Sequence, residues 1–411
     1  MPLAMAALPI YVHVPKFYAE TLGLSLASVG ALLLAARAFD AIQDPLLGWW
    51  SDHRRSARYG GRWLFVAIGM PLLALGMVGL FDPPQWEGSR LGTWLIANLL
   101  VVYTAYSLVA VSYQAHGAEI AVDRAERTRV TAWREGFGLA GVFVAAVLPE
   151  VLRRHLGERE GFAFFSCLFM PLAVVAALIA ILRSPGARAS STPPTSPLRS
   201  IALPFRNRGF RPLALVFMLN GIAAAIPATL VLFFIDDVVR RADLTALFLV
   251  AYFAAGALGL PLWVRLARGL GKARAWLCGM AVSIAAFVWA FLLGPGDAMA
   301  FLAICLLSGL GLGADLALPP SLLADVIDAD EARGTGRHEG AYFGLWNLIT
   351  KMNLALAAGV ALPLLAACGY RPGDGNTSTA LIALAGVYAL VPCALKVLAA
   401  ATLTLNRGEF A

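Results

Sequence analysis

Residues 47–63, LGWWSDHRRSARYGGRW, and residues 260–276, LPLWVRLARGLGKARAW, decide the fold when they are read together. Each closes an apolar run of helical length, carries a cluster of Arg or Lys, and ends on a Trp that opens the next apolar run. A second pair stands in the same relation: 118–136, AEIAVDRAERTRVTAWREG, and 324–340, ADVIDADEARGTGRHEG. Loops of similar type at matching places predict an internal repeat of two halves, six helices in each.

Working outward, the composition states where those helices sit. The chain has 411 residues, of which 60% are apolar and 14% charged, with a mean hydropathy of +0.74. A soluble domain is roughly 45–50% apolar and about 25% charged. So much apolar surface exceeds what soluble cores can hide and predicts a polytopic membrane protein. The net charge of +7 lies in short loops between apolar runs and gives no soluble basic face for nucleic acid. Five cysteines, Cys167, Cys278, Cys305, Cys368 and Cys393, lack metal-site or disulfide spacing and read as packing residues.

Crossing the hydrocarbon layer takes about 20 apolar residues. That length predicts twelve helices, near residues 2–19, 25–51, 62–81, 91–115, 129–149, 161–183, 210–235, 244–266, 274–293, 299–324, 340–366 and 378–403. The expected fold class is therefore all-α, with bundles over 1–183 and 210–411 and a Ser, Pro and Arg-rich cytoplasmic linker over 184–209. Loops after the even helices, with the C-terminus, hold 21 of the 32 Lys and Arg; the other loops hold 8 and helices hold 3. Positive loops stay cytoplasmic, so both termini are expected on that side of the inner membrane. Helix 1 begins without a basic tail and reads as short, with no signal-peptide pattern.

Charges inside spans are the candidate functional groups, because each costs at least ~2.5 kcal/mol at the bilayer centre without a partner. Helix 2 carries RAFDAIQDPLLGWWSD (37–52), which buries Arg37, Asp40 and Asp44. Asp40 and Asp44 share a helix face, and at ~1.5 Å per residue from Asp52 they lie roughly 18 Å and 12 Å deep. Two carboxylates on one face can hold Na+ or share a proton. The plainer alternative is a helix staple in which Arg37 neutralises one acid. Lys351 in helix 11 lies at a depth similar to Asp40 and is a candidate counter-charge. Asp315, in GLGADLALPPSLLADVID (311–328), stands among Gly309, Gly311, Gly313, Pro319 and Pro320, which are expected to loosen helix 10. Asp315 is a candidate for solute or proton binding, with a hydrogen bond to a neighbouring helix as the alternative. Asn220 in helix 7 is a weaker polar candidate. Asp52, Arg58, Asp123, Arg127, Asp325, Asp328 and Arg333 in the charged loops are candidate latches.

The helix 2 string, RHEGAYFGLWNLITK (337–351) and the Asp-Arg-x-Glu-Arg of residues 123–127 together resemble the glycoside-pentoside-hexuronide:cation symporters, the melibiose-permease branch of the major facilitator superfamily. The resemblance covers nearly the whole chain. It implies the major facilitator fold, a cation site centred on Asp40, Asp44 and Lys351, and a central sugar cavity. Arg134 looks like the basic residue of helix 5, and Trp346 and Asn347 join the solute-binding candidates. The acids with which sugar carriers of this family engage hydroxyls, in helices 1 and 4, look replaced by Ala4 and Ala110.

A secondary active transporter is therefore expected, moving a sugar, glycoside or similar small polar solute with Na+ or H+ by alternating access. Its expected partners are that solute and the lipid bilayer, as a monomer and without a cofactor. A carrier of an amphipathic or lipid-like solute is the alternative within transport, and a membrane sensor or enzyme the alternative outside it. The sequence has no phosphate loop, no dinucleotide fingerprint and no paired zinc histidines.

Overall fold

The computed structural model describes the chain except residues 54–60, 121–123, 184–203, 333–338, 374 and 407–411. Side chains at 45–46, 48–53, 61–62, 114–120, 124–132, 135, 331 and 339–341 also lie outside the described set. Among the described residues every element is helical.

In order they are α1 (Pro2–Lys16, running on through a π-turn at Phe17–Thr21), α2 (Leu26–His53), α3 (Gly61–Phe81), α4 (Gly88–Ile120), α5 (Arg124–Leu156) and α6 (Glu158–Arg183). After a 3₁₀ turn at Pro204–Arg206 come α7 (Phe210–Phe233, with a π-turn Phe234–Val239), α8 (Thr245–Leu270), α9 (Lys272–Phe287), α10 (Ala298–Ala332) and α11 (Glu339–Ala367). The last helix, α12, is built from Ser378–Ala385, a π-turn at Gly386–Leu390, and Val391–Leu405. Eleven of these are long and apolar enough to cross a membrane. The fifteen-residue α1 is the short first span that the sequence predicts. The outward faces are apolar, as lipid requires: Leu258 is 80% exposed and Met299 77%.

Tight reversals sit at glycines. Gly157 (φ +89°) turns α5 into α6 and Gly271 (φ +83°) turns α8 into α9, in a left-handed conformation that a side chain would strain.

The chain divides into two compact units, Met1–Pro197 and Leu198–Ala411. Within the first, α2 packs on α4, α3 on α4 and α6, and α1 on α5. Within the second, the helices six places later repeat this: α8 on α10, α9 on α10 and α12, and α7 on α11. One pairing differs. In the first unit α6 leans on α5, whereas in the second α12 leans on α7.

The first unit is cored by an aromatic cluster, with Phe81 stacked on Phe162 (5.2 Å) and Phe17 tilted against both rings (6.3 and 5.0 Å). The second has a core of Phe210, Trp263, Trp276, Met280, Tyr342 and Trp346 with their aliphatic neighbours. Buried Asn207 donates its amide to the Tyr342 hydroxyl (3.0 Å) and the Val326 carbonyl (3.4 Å). The end of the stretch expected as a linker thus packs as part of the second unit.

Two expectations need correcting. Helix α10 is continuous past Gly309, Gly311 and Gly313. A side chain on Gly309 would overlap the Tyr252 carbonyl, and one on Gly313 would meet the Gly256 carbonyl, so these glycines permit close approach of α8. Of the cysteines, Cys305 and Cys393 are buried, but Cys167, Cys278 and Cys368 are exposed and do not pack the interior.

Candidate functional site

On α2, three residues at helical spacing turn toward α4. Asp40 is 1% exposed, and its Oδ1 accepts a hydrogen bond from Ser107 Oγ on α4 at 2.9 Å and from Gln43 Nε2 at 3.3 Å. The Arg37 guanidinium lies 3.5 Å from Asp40 Oδ2, and its central carbon is 4.1 Å from the centre of the Tyr103 ring. Gln43 is held in turn by Thr104, whose hydroxyl donates to Oε1 at 2.8 Å. Residues 103, 104 and 107 form one stripe of α4, so the polar face of α2 has a matching polar face opposite. Tyr11 and Tyr106 complete the electrostatic surroundings of Arg37, and Asp44, half-buried one turn beyond Asp40, acts on Tyr106.

The arginine is engaged by an aromatic face as well as by Asp40, at a distance longer than a close ion pair. Two carboxylates and a guanidinium thus share one desolvated helix face, where every charge is costly without partners.

The second unit holds its own buried charges. Lys396 Nζ on α12 donates to Asp315 Oδ2 on α10 at 2.8 Å and to Asn220 Oδ1 on α7 at 2.7 Å. Trp276 Nε1 on α9 donates to the other oxygen, Asp315 Oδ1, at 2.8 Å. Each carboxylate oxygen has a donor, so Asp315 and Asn220 are bound into one four-helix node. The hydrogen bond to a neighbouring helix, weighed above as the alternative for Asp315, is present. Sequence reading passed over Lys396 and Trp276. The signal for Lys396 was available, since a cation inside a span calls for a partner by the same rule that singled out the acids.

The remaining candidates divide by surroundings. Trp346 on α11 is buried and stacks on Phe217 at 3.7 Å with 17° between the rings, while neighbouring Asn347 is exposed. Lys351, half-buried, follows one turn later on the same helix, in the second unit. Arg134 on α5 is half-buried beside Trp133, which stacks on Phe137 (5.9 Å). Of the latch candidates, Asp325 takes both its hydrogen bonds from Lys272 of its own unit, at 2.6 and 2.7 Å, and Asp328 is exposed. The side chains of Asp52 and Arg127, and all of Arg58, Asp123 and Arg333, lie outside the described residues. Among the described residues no group of three His, Cys, Asp or Glu converges as a metal site would.

Comparison with known proteins places these helices in a family. The sequence family described as MFS/sugar transport protein matches residues 1–406. The uncharacterized symporter YjmB of Bacillus subtilis is 24% identical, over 93% of this chain and 84% of its own length. A putative sulfoquinovose importer of Escherichia coli is 24% identical over 96% of this chain and 86% of its own. The putative glycoside/cation symporter YagG of Escherichia coli is 23% identical over 86% and 78%. Among solved structures, an inward-facing, unoccupied bacterial homologue of the human lysosomal transporter Spinster superposes with a TM-score of 0.75 at 15% identity. That match covers 100% of this chain and 95% of the other. The nucleoside transporter NupG gives 0.72 at 13% identity, over 100% and 97%. These are transporters of the major facilitator fold and not enzymes. With its helices, its two repeated units and a match over almost its whole length, the chain belongs to the MFS/sugar transport protein family, as a multi-pass membrane transporter.

Proposed function

We propose that the protein is a secondary active symporter of the glycoside-pentoside-hexuronide:cation type. It carries a sugar, glycoside or similar small polar solute, with Na+ or H+ coupled at Arg37, Asp40 and Asp44. The observation that carries this reading is the buried charged face of α2, where Asp40 is 1% exposed with Arg37 3.5 Å away and a second acid, Asp44, lies one turn on. A site poised in this way gains an ion without first breaking a close, saturated pair. Lys351 is a further proposed coupling residue, and Arg134 and Asn347 are the proposed solute contacts. Both termini are proposed to be cytoplasmic, on the distribution of Lys and Arg.

The names of the relatives support a sugar-like solute and bring acidic sugars into the test, since one is described as a putative sulfoquinovose importer and another as a putative glycoside/cation symporter. The test is uptake into proteoliposomes of labelled galactosides, uronates and sulfoquinovose, with Na+ and pH gradients imposed separately. Accumulation of at least one sugar that depends on one gradient is expected. Equal filling with and without either gradient would exclude coupling.

A further inference from the structure

We infer that the Asp315–Lys396–Asn220 node positions α11, acting through α7, and so sets the placement of Asn347 and Lys351. The inference rests on the reading that α11 bears solute and coupling groups. Three contacts tie α7 to α11. Phe217 stacks on Trp346 at 3.7 Å, one residue before Asn347. Buried Asn353, two residues after Lys351, lays its amide against the α7 backbone at Phe217 and Met218. Gly221 allows that approach, because a side chain there would overlap the Asn353 amide.

The residue between these contacts is Asn220, whose carbonyl oxygen is held by Lys396 at 2.7 Å. One helix thus rests on α11 through residues 217, 218 and 221 and is pinned from α12 through residue 220. Apolar packing alone sets the rotation of a transmembrane helix weakly, since lipid and Leu side chains are equally good surroundings. A charge-assisted hydrogen bond in the same place is directional and fixes it. Among the described residues the node makes no hydrogen bond to α11 and reaches it through α7: Asp315 and Trp276 orient Lys396, Lys396 holds Asn220, and α7 seats Trp346 and Asn353. These are positioning residues, and none of them need meet solute or ion.

Asn220→Ala is the decisive variant, because it cuts the link to α7 and keeps the Asp315–Lys396 pair whole. Asn347→Cys, at an exposed position of α11, reports the placement of that helix through its rate of reaction with N-ethylmaleimide, read at the residue-347 peptide by mass spectrometry. Leu258→Cys on α8 serves as the control. With Asn220→Ala the rate at 347 should change by about threefold or more while the rate at 258 stays within about twofold. Lys396→Met should shift 347 in the same direction, and Lys396→Arg should return it toward the parent rate. An unchanged rate at 347, or equal changes at 347 and 258, overturns the inference, the second because it reports general loosening. If Lys396→Met does not fold, Asn220→Ala decides alone. Labelling requires no solute, so its failure leaves the symport reading standing, and a failed uptake assay leaves the labelling result intact.

Discussion

In the first unit Arg37 lies 3.5 Å from Asp40 and leans on the Tyr103 ring, and a second acid, Asp44, follows Asp40 one turn later. In the second unit Lys396 lies 2.8 Å from Asp315, shares its other bond with Asn220 and leaves both carboxylate oxygens bonded. Both clusters are buried ionisable groups in apolar helices, and they differ in how tightly the charges are paired. The second is neutral and saturated, so an arriving ion would have to break a close pair. In the first the pair is longer and a second acid follows one turn on, the arrangement on which the proposed coupling site rests. Burial of charge marks both, and the tightness of the pair is what separates the proposed coupling site from a structural tie.

The largest effect is expected where that contrast is removed. Asp40→Asn or Asp44→Asn keeps shape and removes one negative charge, and gradient-driven accumulation should fall to the level of protein-free liposomes while the protein still inserts and folds. Uptake by both variants at the parent level would erase the distinction between the two clusters. For Lys396→Met the expectation is reversed. It strands Asp315 in the bundle and should destabilise the second unit by about 3–5 kcal/mol, the range for a broken buried pair. The double variant Asp315→Leu with Lys396→Met should recover most of that loss. Thermal unfolding in detergent measures both, and a strictly additive double variant would show that the pair is not coupled.

How much of this the sequence disclosed depends on range. Helix number, the internal repeat and the α2 charges were legible, because spans have a required length and lipid makes every internal charge conspicuous. The partner of Asp315 was not, since Asp315 and Lys396 are 81 residues apart and no periodicity links them. The glycines of α10 were misread for a related reason. Composition shows that a helix is rich in Gly, and only the neighbouring helix decides whether it loosens or packs closely. Gly309→Ala tests that correction: its methyl group meets the backbone of Tyr252, which cannot rotate away. A loss of about 1–3 kcal/mol is expected, as for an overpacked contact. Unchanged thermal stability would restore the loosened-helix reading.

The smallest effect gives the sharpest comparison. Ser107 and Trp276 do the same work at the two clusters, each donating one hydrogen bond to a buried carboxylate, at 2.9 and 2.8 Å. Ser107→Ala leaves Asp40 with Gln43 and Arg37, so its stability cost should be only about 1 kcal/mol. It also removes one of the bonds that orient the proposed coupling carboxylate. Half-maximal uptake should then move along whichever ion gradient, Na+ or H+, drives the carrier. Trp276→Phe removes the equivalent donor from Asp315, and because Lys396 still neutralises that acid, the ion dependence of uptake should not move. Its loss should appear in thermal stability and, through Lys396, in the labelling rate at residue 347. A shift in ion dependence with Trp276→Phe and none with Ser107→Ala would transfer the coupling site from α2 to the node on α10, and the contrast between the two units would have to be reversed.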